Sequence, residues 1–144
     1  MITIERYHDI SCGHRVHGHE SKCAHLHGHN YRITFACAAP KLDELGRVVD
    51  FSVVKSTLCQ WLEDEWDHRF LVSIDDPWMV ALRALDPSVA VVSFNPTAEN
   101  MARHLVMRVG PALLPSGITL IACKVEETRK CSAWYSIPYS DGSR

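Results

Sequence analysis

The order of periodic segments in this chain predicts an α+β fold built on an antiparallel sheet. Three observations lead there. Two stretches of alternating apolar residues stand near the N-terminus, two more stand near the C-terminus, and two amphipathic helical stretches lie between them. Strands that cluster in pairs, with helices between the pairs, build an antiparallel sheet rather than an alternating parallel one.

Residues 2–12 form the first expected strand, with Ile2 and Ile4 alternating against Thr3 and Glu5. Residues 28–39 form the second, where Tyr31, Ile33, Phe35 and Cys37 share a face opposite Arg32 and Thr34. Pro40 to Gly46 is a polar turn. Asp50 then caps a helix whose apolar side is Phe51, Val54, Leu58, Trp61, Leu62 and Glu65/Trp66, and which ends near Asp67-His68. Asp75-Asp76-Pro77 opens a short helix over 77–85, and residues 89–94 are an apolar extended run. Asn95-Pro96-Thr97 caps a second long helix with Met101, Ala102, Leu105, Val106 and Val109 as its buried stripe. Gly110-Pro111 is expected to stop it. Residues 117–127 and 130–138 are the last two strands, joined by a tight turn.

A chain of 144 residues fits one domain, 1–144, with a real core. A formal net charge of −2, with no basic run longer than two residues, excludes a nucleic-acid or anionic-membrane partner. No apolar run is long enough for a transmembrane helix, and the first residues lack the basic start and apolar core of a signal peptide. The expected compartment is the cytoplasm, where six cysteines without a C-x-x-C spacing stay reduced.

The histidines carry the functional signal. Seven of nine fall between His8 and His29, and the cluster ends in Cys23-Ala24-His25-Leu26-His27-Gly28-His29. On a strand, residues i and i+2 share a face, so His27 and His29 project together on the apolar side. His14, in Cys12-Gly13-His14-Arg15, supplies a third imidazole from the neighbouring strand. Three histidines with an open fourth position are the donor set of a catalytic zinc. His17 and His19 lie in a polar loop and read as solvated or substrate-facing, while His8 and His25 are spare candidates. Cys23 admits three roles: a fourth metal ligand, a buried small hydrophobe, or a reactive thiol beside the metal. Asp67-His68 reads either as an ordinary helix end or as a carboxylate-tuned acid-base pair. Glu127 shares parity with Ile121, Cys123 and Val125. It therefore points inward at a strand end, where a carboxylate needs partners such as a pair of N–H donors on a ligand.

These segments together resemble the 6-pyruvoyl-tetrahydropterin synthase / 6-carboxy-tetrahydropterin synthase family. The matching pieces are Gly13-His14-Arg15, Cys23-x-x-x-His27-Gly28-His29, Val49-Asp50-Phe51, Asp67-His68, Asn95-Pro96-Thr97-Ala98-Glu99-Asn100 and Glu127-Thr128, in family order along nearly the whole chain. The resemblance implies the tunnelling fold: a four-stranded antiparallel sheet with two long helices on one face. Subunits of that fold join their sheets into a barrel, as a homo-oligomer and often a hexamer. It implies Zn(II) on His14, His27 and His29, catalysis by Cys23, Asp67 and His68, and a pterin held by Glu127 and Thr128. The implied substrate is 7,8-dihydroneopterin triphosphate. The implied product is 6-carboxy-tetrahydropterin with acetaldehyde and triphosphate, on the queuosine/7-deazapurine route, or else a 6-pyruvoyl product. The loop from Val16 to Lys22, with Arg15 or Lys22 as its basic contact, is offered to the triphosphate. Two other readings stand beside this one. One is a non-catalytic zinc-stabilised module closed by Cys12 or Cys23. The other is a same-fold enzyme of another pterin, against which the retention of Cys23, Asp67 and His68 argues.

Overall fold

The computed structural model describes residues 1–140 and 142. Strand β1 (Thr3–His14) and strand β2 (His27–Ala38) form one long antiparallel hairpin, in register from Thr3 opposite Ala38 to His14 opposite His27. The first strand runs two residues past its expected end and the second begins one residue early. Both histidine-bearing segments are therefore strand rather than loop. Asp50 caps helix α1 (51–65) by accepting the Ser52 N–H at 2.8 Å. Strand β3 (Phe70–Ser73), helix α2 (Met79–Leu85) and strand β4 (Ala90–Val92) follow. Helix α3 (98–113), strand β5 (Thr119–Glu126) and strand β6 (Ser132–Ser136) complete the order.

The sheet has six strands in the order β4-β3-β1-β2-β5-β6. Its four long members are antiparallel, as expected. The difference is a parallel flap: β3 pairs parallel with the end of β1, and β4 pairs parallel with β3. The four-residue run of β3 is too short for alternation to show in the sequence.

Helices α1 and α3 cover one face. Ile10, Tyr31, Ile33, Phe35, Cys123 and Val125 of the sheet pack on Val54, Leu58 and Leu62 of α1 and on Met101, Leu105 and Val109 of α3. Phe51 does not join this stripe. It is the first residue after the cap and is 52% exposed, because the first turn overhangs the edge of the core. The parity of β5 also needs correction. A bulge between Ala36 and Cys37 places Ala36 opposite Ala122 but Cys37 opposite Leu120, so Ile121 is the extra residue. Leu120, not Ile121, shares the core face with Cys123 and Val125. Ile121 joins Ala36, Ala38 and Ala122 in a smaller cluster.

Gly110-Pro111 does not stop α3, which continues to Leu113. The turn just before it is widened: the Gly110 N–H reaches back five residues to Leu105 O. This relaxes the backbone where the Pro111 ring and its missing N–H would otherwise break a regular helix. Gly110 is fixed by packing. A Cβ there would lie 2.7 Å from Leu120 Cβ and 3.0 Å from its Cδ2. Gly110→Ala is therefore expected to destabilise the protein. Overpacking costs about 1–3 kcal/mol, more than the ~1 kcal/mol that alanine gains over glycine inside a helix. Urea denaturation measures the net loss, and a variant as stable as wild type would show that α3 can shift off β5.

Candidate metal centre and active site

His14 and His27 face each other across the last rung of the hairpin, and His29 lies two residues further along the same face. Gly13, just before His14, leaves room for the Phe70 ring, which a Cβ there would meet at 2.5 Å. One ligand atom from each histidine lies within 4.8 Å of the other two. The ring centroids are 4.5 Å apart for His14–His27, 4.9 Å for His27–His29 and 5.1 Å for His14–His29.

Backbone carbonyls set two of the tautomers. His14 Nδ1 pairs with Pro96 O at 2.6 Å, and His27 Nδ1 pairs with His25 O at 2.8 Å. With each Nδ1–H donating outward, each Nε2 keeps its lone pair for the cluster. The Nε2 of His29 is buried without a protein partner. Burial lowers the pKa of both His14 and His29, which keeps their rings neutral, the form a metal binds. An orphaned nitrogen, two oriented lone pairs and neutral rings fit a metal of the zinc class.

Glu127 follows the last residue of β5 and turns toward this cluster. Its Oε1 is 3.5 Å from His14 Nε2, 3.7 Å from His29 Nε2 and 3.5 Å from the Tyr31 hydroxyl. The inward direction expected from parity is the one observed. Burial drives the Tyr31 hydroxyl pKa far up, with Glu127 adding to the shift, so Tyr31 stays a hydrogen-bond donor. Cys23 sits on a short 3₁₀ turn (Lys22–Ala24) in the loop joining β1 and β2. It lines a cavity of about 250 Å³ with His14, His19, Glu99, Glu127 and Cys131.

Asp67 and His68 stand elsewhere on the chain. They line a cavity of about 530 Å³ with Tyr31, Arg32 and Thr128. His68 adopts a left-handed backbone (φ 55°), held by its N–H donating to Ser11 O at 2.7 Å. Ser11 N–H in turn donates to Asp67 Oδ1 at 2.9 Å, and His68 Nδ1 meets Asp67 Oδ2 at 2.8 Å. Burial would raise the Asp67 carboxyl, but the hydrogen bonds from Ser11 and His68 outweigh it and hold its pKa below the usual range. The His68 side chain is 82% exposed, with Nε2 left for other partners. One chain thus joins His14, His27, His29, Glu127 and Cys23 around one centre and leaves Asp67 and His68 at a neighbouring one. Thr128 lines the second cavity, and its Oγ1 accepts the N–H groups of Lys130 and Cys131 in the β5–β6 turn.

Arg15 does not reach toward a ligand. It is 6% exposed, its Nε bonds Asp76 Oδ2 at 2.5 Å, its Nη1 donates to Ala24 O at 2.9 Å, and its guanidinium lies 3.6 Å over Trp78. His17 is tied through its backbone to Asn95, while His19 faces the Cys23 cavity. Sequence reasoning missed Tyr31, Cys131 and the carbonyl of Pro96 as parts of the centre. It read Thr97 correctly as a cap, which accepts the Asn100 N–H at 3.2 Å.

Fold and centre together define an α+β protein carrying, at the end of a sheet, a cluster of three histidines that could hold a metal. A model of the 6-pyruvoyl tetrahydropterin synthase family matches residues 3–138, and the chain belongs to that family. A Rickettsia felis protein named 6-carboxy-5,6,7,8-tetrahydropterin synthase is 35% identical over 134 residues, 91% of this chain and 97% of that one. Among solved structures, an uncharacterised protein of Wolinella succinogenes superposes with a TM-score of 0.82 at 24% identity, covering 94% of this chain and 97% of that one. The 6-pyruvoyl tetrahydropterin synthase of Caenorhabditis elegans superposes with a TM-score of 0.66 at 26% identity, covering 95% and 96%. The chain is an enzyme, a lyase of the pterin-synthase kind.

Proposed function

We propose that this protein is a zinc-dependent lyase. It converts 7,8-dihydroneopterin triphosphate to 6-carboxy-5,6,7,8-tetrahydropterin, releasing acetaldehyde and triphosphate. The observation that carries the proposal is the cluster of three histidine nitrogens, one of them buried and unpaired, beside a carboxylate and a thiol. The name of relatives about one-third identical along nearly their full length supports the choice of product.

His14, His27 and His29 hold the zinc, which when bound supplies Lewis acidity to a hydroxyl of the substrate side chain. Glu127 accepts paired N–H groups of the pterin and so places that side chain at the centre, with Thr128 at its rim. Cys23 takes the carbon-bound proton as a thiolate. His68, with Nδ1 held by Asp67, gives and takes protons at Nε2. Because Cys23 and His68 line different cavities of one chain, the working pocket is completed in a homo-oligomer, where a neighbouring subunit brings its share. The outer strands β4 and β6 each pair on one side among the described residues, which suits a sheet continued by another subunit into a barrel. The enzyme acts on a soluble small molecule in the cytoplasm, on the route to queuosine and related 7-deazapurines. Among the described residues no helix is long and apolar enough to cross a membrane.

The test is mass spectrometry of products after zinc-loaded protein meets 7,8-dihydroneopterin triphosphate. A 6-carboxy-tetrahydropterin with acetaldehyde is expected. A 6-pyruvoyl product would keep the site and change the reaction. No turnover with zinc bound would leave the binding-module reading standing.

A further inference from the structure

Four of the six cysteines, Cys12, Cys37, Cys59 and Cys123, are buried, whereas Cys23 is half-buried and Cys131 is exposed. A small reactive molecule in solvent therefore meets two thiols, and both line the same cavity of about 250 Å³. They reach it from different elements. Cys23 comes from the β1–β2 loop, on a turn none of whose own residues is buried. Cys131 comes from the turn before β6. Its carbonyl accepts the Glu127 N–H at 3.1 Å, and the ladder pairs Glu126 with Ser132. Cys131 thus stands opposite Glu127, and residues directly opposite in an antiparallel pair share a face. That is the face from which the Glu127 carboxylate approaches His14 and His29. The cavity that the two thiols share holds the volume of about eight liquid waters.

We propose that Cys23 and Cys131 are a redox-modified pair, joined by a peroxide into a disulfide that closes the cavity reversibly. The Cys23 thiolate attacks one peroxide oxygen and the O–O bond breaks. The departing hydroxide takes up a proton, and Cys23 is left as a sulfenic acid. The Cys131 thiolate then attacks the Cys23 sulfur, the S–O bond breaks, and the second hydroxide leaves as water. The balance is two thiols and one peroxide giving one disulfide and two waters. Without a partner thiol, sulfenic acid advances to the irreversible sulfinic acid, so Cys131 also protects Cys23. A thiol reductant restores both residues, the behaviour of a transient disulfide in a reducing compartment. The loss of turnover rests on the role proposed above for Cys23, whereas formation of the bond does not.

The experiment exposes purified, reduced protein to hydrogen peroxide, traps free thiols by alkylation, and maps the peptides by mass spectrometry. The expected result is a linked Cys23–Cys131 peptide, two hydrogens lighter than its parts, that grows as turnover falls and disappears with turnover restored on adding a reductant. In Cys131→Ser the linked peptide is lost and Cys23 accumulates sulfinic acid that the reductant does not reverse. Absence of the linked peptide overturns the proposal. So does a Cys131 bond between two chains, or equal sulfinic acid at Cys23 in both proteins. A linked peptide in a protein that never turns over the pterin triphosphate would sink the proposed reaction and uphold the thiol pair.

Discussion

Cys23→Ala is expected to keep the metal content and melting temperature of the wild type while cutting turnover by roughly 10²–10⁴-fold, the range a positioned proton-transfer group contributes. The expectation follows from the donor set. The atoms within 4.8 Å of one another come from His14, His27 and His29, and Cys23 is not among them. Cys23 instead lines the cavity that opens beside His14 and Glu127. Three clustered imidazoles, two of them with their lone pairs already directed inward, have no need of the thiol to hold a zinc-class ion. His27→Ala should do the opposite and lower metal content and activity together. Elemental analysis, thermal melts and kcat on the two variants separate an open catalytic site from a closed structural one. If Cys23→Ala lost metal and stability in parallel, the thiol would be a ligand and the site a structural clip.

The parts of this molecule that repeat with a short period were legible in the sequence. The β1–β2 hairpin and the α3 stripe followed from alternation and helical spacing, and parity alone sent His27, His29 and Glu127 to the core side. The failures have local causes. A bulge at Ile121 reset the alternation of β5 halfway along, a change that a two-residue period cannot announce. Pro111 was taken as a stop because the widened turn that accommodates it depends on a backbone hydrogen bond, not on a residue type. The centre itself was half visible. His27 and His29 shared one motif and His14 stood in a second, whereas the carbonyl that orients His14 belongs to Pro96, 82 residues away, and only the fold brings them together. Arg15 shows the same limit. Beside histidines and a polar loop it read as a phosphate contact, because its carboxylate partner lies 61 residues further on.

That partner supplies the largest expected loss of stability. Asp76→Ala should destabilise the protein by about 3–5 kcal/mol, the usual cost of leaving one member of a buried ion pair uncompensated. Both groups are out of solvent: Asp76 is 4% exposed and Arg15 6%. Asp76 also accepts the Trp78 N–H at 2.8 Å, and Trp78 is the ring on which the guanidinium lies. The effect should reach the site, because Arg15 follows His14 and its Nη1 holds Ala24 O, next to Cys23. Turnover is therefore expected to fall with stability, and adding metal should recover part of both by mass action. The pair also sets an acid limit. Burial alone would raise the Asp76 carboxyl, but hydrogen bonds from Arg15 and the Trp78 N–H outweigh it and hold its folded pKa below the usual value. A carboxyl with a depressed folded pKa contributes fully above its unfolded value of about 3.9, and the contribution is lost as pH falls through the folded value. The stability difference between wild type and Asp76→Asn should hence be full near neutral pH and shrink only below about pH 4. Urea denaturation of both proteins across that range is the measurement. A difference that does not change down to the acid unfolding of the wild type would mean that Arg15 is held by its stacking on Trp78 and by Ala24 rather than by charge.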